Sequence, residues 1–244
     1  MKRTLALLAV VATPALAHAD RRSFTQTYEY MTAPAGQTEV ELHTRQARST
    51  WADGAPESFT FALEVEHGIT ERWDIALYHV FEQASDATAP VPLHLSEIKL
   101  ESRYRFAERG ELPVDLAAYG ELVRAFGASA YEAEAKAIVA RDFGKVTAAV
   151  NLIGAVEFGA DVAETEVEAG WAAGVTYEVS PTWKVGAESW GGFEVEYPDE
   201  VTGWAGPAAS WAPSAQLWVA ATAGFGLTST SDKFSIGGIV GLNL

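Results

Sequence analysis

The chain has 244 residues, a net charge of −16 and no cysteine. Such an acidic excess excludes a nucleic-acid binder, whose affinity rests on many Lys and Arg contacts to phosphate. The missing cysteine excludes disulfides and thiolate metal sites.

Met1-Lys2-Arg3 is a short basic start, followed from Leu5 to Leu16 by an apolar run broken only by Thr13 and Pro14. Ala17-His18-Ala19 then supplies small residues, which predicts a secretory signal over 1–19 cleaved before Asp20, or before His18 if Ala15-Leu16-Ala17 is used. The run is shorter than the roughly 18 to 20 residues that span a bilayer as a helix, which argues against an uncleaved anchor. Loss of Lys2 and Arg3 takes the mature net charge to −18.

From residue 24 onward, alternation and Gly, Pro, Asp and Ser punctuation divide the chain into thirteen predicted strands. They run over 24–32, 38–48, 58–66, 73–83, 96–106, 114–126, 131–143, 146–158, 166–179, 182–193, 203–211, 216–226 and 234–244. The 96–106 segment shows the pattern best. Period two sends Ile98, Leu100, Tyr104 and Phe106 to one face, and Glu97, Lys99, Glu101, Arg103 and Arg105 to the other. Those two faces need two solvents, and a transmembrane barrel supplies both, lipid outside and a polar lumen inside. The predicted fold is therefore all-β, an antiparallel up-and-down transmembrane β-barrel.

Connections alternate between short and mostly longer, which assigns the short ones and the C-terminus to the periplasm. Single-chain bacterial barrels have an even strand number, and a secreted N-terminus should start in the periplasm. Both conditions are met by twelve wall strands over 38–244, with 20–37 inside the barrel or at its periplasmic rim. A merged pair or fourteen strands would also restore parity. The expected location is the outer membrane of a Gram-negative bacterium. The expected partners are outer-membrane lipid and lipopolysaccharide, the barrel-assembly machinery and small solutes.

Aromatic residues gather at both ends of the predicted strands, and Trp51, Trp73, Trp183, Trp190 and Trp204 are read as interfacial anchors. Trp211 and Trp218 fall on the lumen parity of their strands, which calls for a bulge or a different register there, and Pro207 mid-strand suggests such a bulge or weakens the 203–211 strand. The last strand alternates Phe234, Ile236, Val240, Leu242 and Leu244, a partial match to the C-terminal targeting signal of outer-membrane proteins.

Four segments, Thr38-Glu39-Val40-Glu41-Leu42, Gly68-Ile69-Thr70-Glu71-Arg72-Trp73, Tyr177-Glu178-Val179-Ser180-Pro181 and Gly206-Pro207-Ala208-Ala209-Ser210-Trp211, are strand–turn–strand signatures. In them the chain resembles uncharacterised bacterial outer-membrane barrels, including transporter-like ones and those related to the phenol-degradation "MetA-pathway" barrels. The resemblance implies an outer-membrane barrel acting as a channel for small molecules and carries over no catalytic residue.

The remaining histidines are His43, His67, His79 and His94. Only His79 falls on the lipid face near the external edge, where barrel hydrolases of lipid place theirs, and no nearby Ser completes a triad. No two histidines have metal-ligand spacing and no glycine-rich loop precedes a helix, so no catalytic residue, metal or cofactor is predicted. Parity instead lines the lumen with Glu41, His43, Arg45, Glu64, Glu97, Lys99, Glu101, Arg103, Arg105, Glu121, Glu132, Glu134, Lys136, Lys184 and Glu188. One reading is a passive, cation-favouring channel or porin. The other is an opposite-charge network that fills a closed barrel serving as an envelope anchor or scaffold.

Overall fold

The computed structural model describes residues 21–52, 55–85 and 90–244. The predicted signal over 1–19 lies outside the described residues. The twelve strands are β1 (Thr38–Arg48), β2 (Glu57–Thr70), β3 (Trp73–Ser85), β4 (Val91–Arg105), β5 (Asp115–Ala125) and β6 (Ala130–Phe143), then β7 (Val146–Gly159), β8 (Glu166–Ser180), β9 (Trp183–Glu194), β10 (Thr202–Trp211), β11 (Leu217–Gly226) and β12 (Phe234–Asn243). Each pairs antiparallel with its neighbours in sequence, and β1 closes on β12 from Glu39 opposite Asn243 to Arg48 opposite Phe234. The wall is thus a closed twelve-stranded barrel with no free edge, so every strand finds its backbone partners without water.

Alternation assigns the faces. Leu100, Leu122 and Leu152 are 51%, 57% and 61% exposed on the outside, whereas Glu64, Glu101 and Glu188 are 1%, 1% and 2% exposed inside. In water that arrangement would be inverted; in lipid it is the stable one. Register shifts at Gly68/Thr70 and Glu178/Ser180 lie just before two of the short turns. The β6–β7 turn uses Gly144 at φ 68°, a left-handed conformation that other residues adopt at a cost.

Pro207 makes no bulge. The β10–β11 register is the same on both sides of it, from Ala205 opposite Phe225 to Ala208 opposite Thr222, with a gap between. A proline has no N–H to give the ladder, and here the strand absorbs that loss without shifting. Trp211 faces outward rather than the lumen, on the opposite parity from Trp204 and Ser210 along an unbroken β10, 39% exposed and stacked on Trp183 at 5.8 Å. Trp218 faces inward and donates to Glu39.

At the short-turn end the outer belt also holds Trp73, whose indole N–H donates to Ser102 at 2.8 Å, and the Tyr104–Phe106 pair. At the long-loop end Trp51 meets Phe234, and Tyr131 stacks on Phe158. Trp190 and Trp204, expected in that belt, are instead inside. Trp190 is 8% exposed, the two rings stack at 6.1 Å, and the Arg45 guanidinium lies 5.8 Å from Trp204. Both sit on even positions directly opposite one another across β9 and β10, the parity that Glu188 already gives to the lumen.

Candidate functional site: the occupied lumen

Residues 24–32 form no strand. The chain from Arg21 climbs into the barrel, turns near Thr27 and returns to β1, so its backbone is buried without a ladder. Buried N–H groups must still be paired, and lumen side chains supply the partners. The Glu188 carboxylate accepts the N–H groups of Thr25, Gln26 and Thr27 at 3.2, 2.8 and 2.5 Å, and the Thr222 hydroxyl at 2.6 Å. The Asn151 amide accepts from Tyr28 N–H at 2.7 Å and donates to its carbonyl at 2.9 Å. Asp74 accepts from Ala33 N–H at 2.9 Å. Glu29 closes the loop on itself, accepting from Ser23 N–H and hydroxyl at 2.8 and 3.1 Å.

Apolar contact adds to these ties. Phe24 is fully buried, and a Cβ added at Gly174 of β8 would come within 2.3 Å of its ring. Tyr28, Tyr30 and Phe24 form one cluster with Tyr119 and Ile138 of the wall.

Around Tyr28 lies a layer of charge. Arg103 reaches Glu66 at 2.5 Å, Asp74 at 3.0 Å and Glu101 at 3.3 Å. Glu101 in turn accepts the hydroxyls of Tyr28 and Tyr78 at 3.0 and 2.7 Å. Lys99 bridges Glu97 and Glu121, and Lys136 pairs with Glu134 while lying 4.1 Å from the Tyr119 ring centre. Lys184 donates to Ser23, and Arg105 holds the Glu71 carbonyl at the periplasmic rim. His43 touches Glu41 and Glu64, and Arg45 donates to Ser235. Glu132 lines the outer cavity beside Glu134.

The structure thus brings Glu41, Glu64, Glu101, Arg103, Arg105, Glu121 and Glu188 into the buried interior, with His43, Arg45, Glu97, Lys99, Glu132, Glu134, Lys136 and Lys184 half-buried on the same face. Asn151 and Asp74 also tie down the N-terminal segment, and parity alone did not single them out. The available signal was Asn151 itself, an amide interrupting the apolar run of 146–156. His79 lies on the outer face opposite Leu63 and Ile98, so neither cross-strand neighbour could serve it in catalysis.

Two cavities flank the segment. The outer one is about 480 Å³ and includes Gln26, Arg45, Glu132, Glu134, Lys136, Glu168, Trp190, Glu194, Glu200 and Trp204. The periplasmic one, also about 480 Å³, is lined by Arg21, Glu29, Met31, Arg109, Lys145 and Lys184 among others. The segment stands between them, presenting Gln26 to one and Arg21, Glu29 and Met31 to the other.

No protein-family model and no curated protein matches the sequence. Solved structures do match the fold. An outer-membrane channel from Pseudomonas putida F1 superposes with a TM-score of 0.66 at 14% identity, over 88% of this chain and 98% of that one. The NanC porin gives 0.54 at 8% identity, over 84% of this chain and 97% of its own. The KdgM porin, solved with disordered oligogalacturonate, gives 0.57 at 7% identity, over the same shares. Barrel closure, lipid-compatible exterior and these likenesses define a twelve-stranded outer-membrane β-barrel, with its N-terminal segment folded into the lumen.

Proposed function

We propose that the protein is an outer-membrane channel for small solutes that favours cations, with the N-terminal segment setting its closed state. The observation that carries this reading is the outer cavity, which sets five carboxylates, Glu132, Glu134, Glu168, Glu194 and Glu200, against the cations Arg45 and Lys136. Fixed negative charge lining a pore favours cations. The channel and porin neighbours support passage of solutes in general. KdgM holds an acidic oligosaccharide, whereas the acidic cavity here disfavours anions of that class.

The closed scaffold is a second reading, favoured by the number of ties that hold the segment across the lumen. Planar-bilayer recordings on the purified barrel separate the two. The channel reading expects conductance whose reversal potential in a KCl gradient reports cation preference. That preference should fade as salt rises from 0.1 to 1 M and the screening length falls from about 10 to about 3 Å. Anion selectivity overturns the charge assignment. Silence, both in the native protein and in variants that release the segment, favours the scaffold.

A further inference from the structure

Glu41 of β1 and Glu64 of β2 stand directly opposite one another on the lumen face, 2% and 1% exposed. Like charges in a direct cross-strand pair repel. His43, two residues along β1 on the same face, places Nε2 2.8 Å from a carboxylate oxygen of each. One imidazole N–H can serve only one of them. It lies in hydrogen-bond geometry with Glu64, and Glu41 Oε2 is left buried with no hydrogen-bond partner among the described residues. The next cation is Arg22 of the N-terminal segment, 3.9 Å from Glu41 and 4.1 Å from the Tyr28 ring centre.

With Nε2 deprotonated, the same three atoms become a ligand set, all within 4.8 Å of one another. One imidazole and two carboxylates suit Zn²⁺ and its first-row neighbours. Bond lengths of about 2.0 to 2.1 Å in a tetrahedron put donor atoms roughly 3.3 Å apart. Each 2.8 Å contact would therefore open by about half an ångström, within the reach of glutamate rotamers. His43 also borders a lumen cavity of about 290 Å³ shared with Thr60, Tyr78 and Lys99, which leaves room for a fourth ligand such as water. No sequence spacing reveals this set, because Glu64 meets His43 only through strand pairing.

We propose that Glu41, His43 and Glu64 bind a divalent first-row metal ion, Zn²⁺ being the type ion, and that Arg22 is the internal cation competing for Glu41. The site depends on the lumen geometry and not on conduction. An ion bound there repels the Arg22 guanidinium, so by reciprocity it loosens the N-terminal segment as the segment loosens the ion.

The test uses the folded, chelator-treated barrel in detergent, titrated with Zn²⁺ by calorimetry and with Co²⁺ by visible absorption. The expected result is one saturable equivalent, with Co²⁺ bands intensified by low-symmetry coordination. His43→Ala and Glu64→Gln should each weaken binding by about tenfold or more, since even outer-shell partners of metal ligands contribute that much. Arg22→Gln should tighten it. Heat-modifiable gel mobility establishes that each variant is folded. Absence of saturable binding in the native protein overturns the site, as does unchanged affinity in folded His43→Ala or Glu64→Gln. If neither variant folds, the native Co²⁺ spectrum and the direction of the Arg22→Gln change decide, and a featureless spectrum or no tightening counts against the proposal.

Discussion

The Asn151 side chain holds Tyr28 by both of its main-chain polar groups, at 2.7 Å to the N–H and 2.9 Å to the carbonyl. An amide side chain thereby does the work of a neighbouring strand. Glu188 does the same for three successive N–H groups and Asp74 for that of Ala33, so the wall of the barrel replaces the ladder that residues 24–33 lack. A segment held by side chains rather than by a ladder can be released by a small number of substitutions without opening the barrel wall.

Asn151→Leu should orphan both Tyr28 groups, at about 1 to 3 kcal/mol for each buried group left unpaired. Adding Glu188→Gln weakens the neighbouring ties. The double variant should keep the heat-modifiable mobility of a folded barrel and show longer or larger openings in planar bilayers than the native protein. Openings identical to those of the native protein would mean that the segment does not set the closed state.

Gly174 has no side chain because Phe24 fills the place where one would be, a Cβ there coming within 2.3 Å of the ring. Gly174→Val should therefore displace the segment from its seat while β8 stays paired. Limited proteolysis from the periplasmic side should then cut near residues 21–30 faster than in the native protein. Phe24→Ala should act in the same direction, and equal cutting rates in all three proteins would refute the fit.

Arg103 is the counter-charge for Glu66, Asp74 and Glu101 together. Removing one partner from a buried ionic cluster costs about 3 to 5 kcal/mol, because the charge left behind has no solvent. Arg103→Gln should lower the urea midpoint of barrel unfolding markedly. Arg105→Gln should cost less, since Arg105 binds Glu108 and a carbonyl at the rim. Equal effects would show that the two arginines share one environment.

Alternation made the barrel and its two faces legible, since every residue from Glu97 to Arg105 obeys period two, but it counted thirteen strands, and only the even-number rule with a periplasmic N-terminus took residues 24–32 out of the wall. It also assigned Glu188, Glu101 and Arg103 to the inside. What it could not give is who meets whom across the lumen. Asn151 and Asp74 act on residues 123 and 41 positions away in sequence, and no periodicity encodes that. The misplacement of Trp190 and Trp204 has a different cause. Trp190 shares the parity of Glu188 and so pointed inward, but nearness to the long loops suggested lipid anchoring for it and for Trp204, and the cross-strand pairing instead stacks the two indoles as filling of the lumen. Trp211 failed together with Trp204: seven residues apart on one strand they take opposite faces, so reading Trp204 as a lipid anchor put Trp211 in the lumen, and the unbroken register places both the other way.

At the periplasmic turn the Arg72 hydrogen bond, with Arg105 beside it, holds the Glu108 carboxyl below its ordinary value. A depressed folded pKa contributes stability that is present above the unfolded value and lost as pH falls through the folded one. Glu108 is exposed, so its share is within about 1 kcal/mol. Glu108→Gln should lower stability slightly at neutral pH and narrow the gap to the native protein as pH drops below 4.5. A gap that widens in acid would contradict the pairing.

Leu100 and Ser102 share the outer face of β4 but not its chemistry. Leu100 is 51% exposed between Leu77 and Leu122 in the neighbouring strands, a position for lipid tails. Leu100→Arg should cost about 2 to 4 kcal/mol at mid-bilayer depth and reduce the folded fraction in vesicles. Ser102 lies nearer the short-turn end, accepting from Trp73 at 2.8 Å and donating to the Asp74 carbonyl at 3.2 Å. Ser102→Leu forfeits those two bonds yet gains apolar contact with lipid, and the interfacial Trp73 indole can turn to water or headgroups instead. Its net effect should stay near about 1 kcal/mol. Folding into lipid vesicles, followed by gel mobility, compares the two directly, and a larger loss for Ser102→Leu than for Leu100→Arg would invert the faces of this strand.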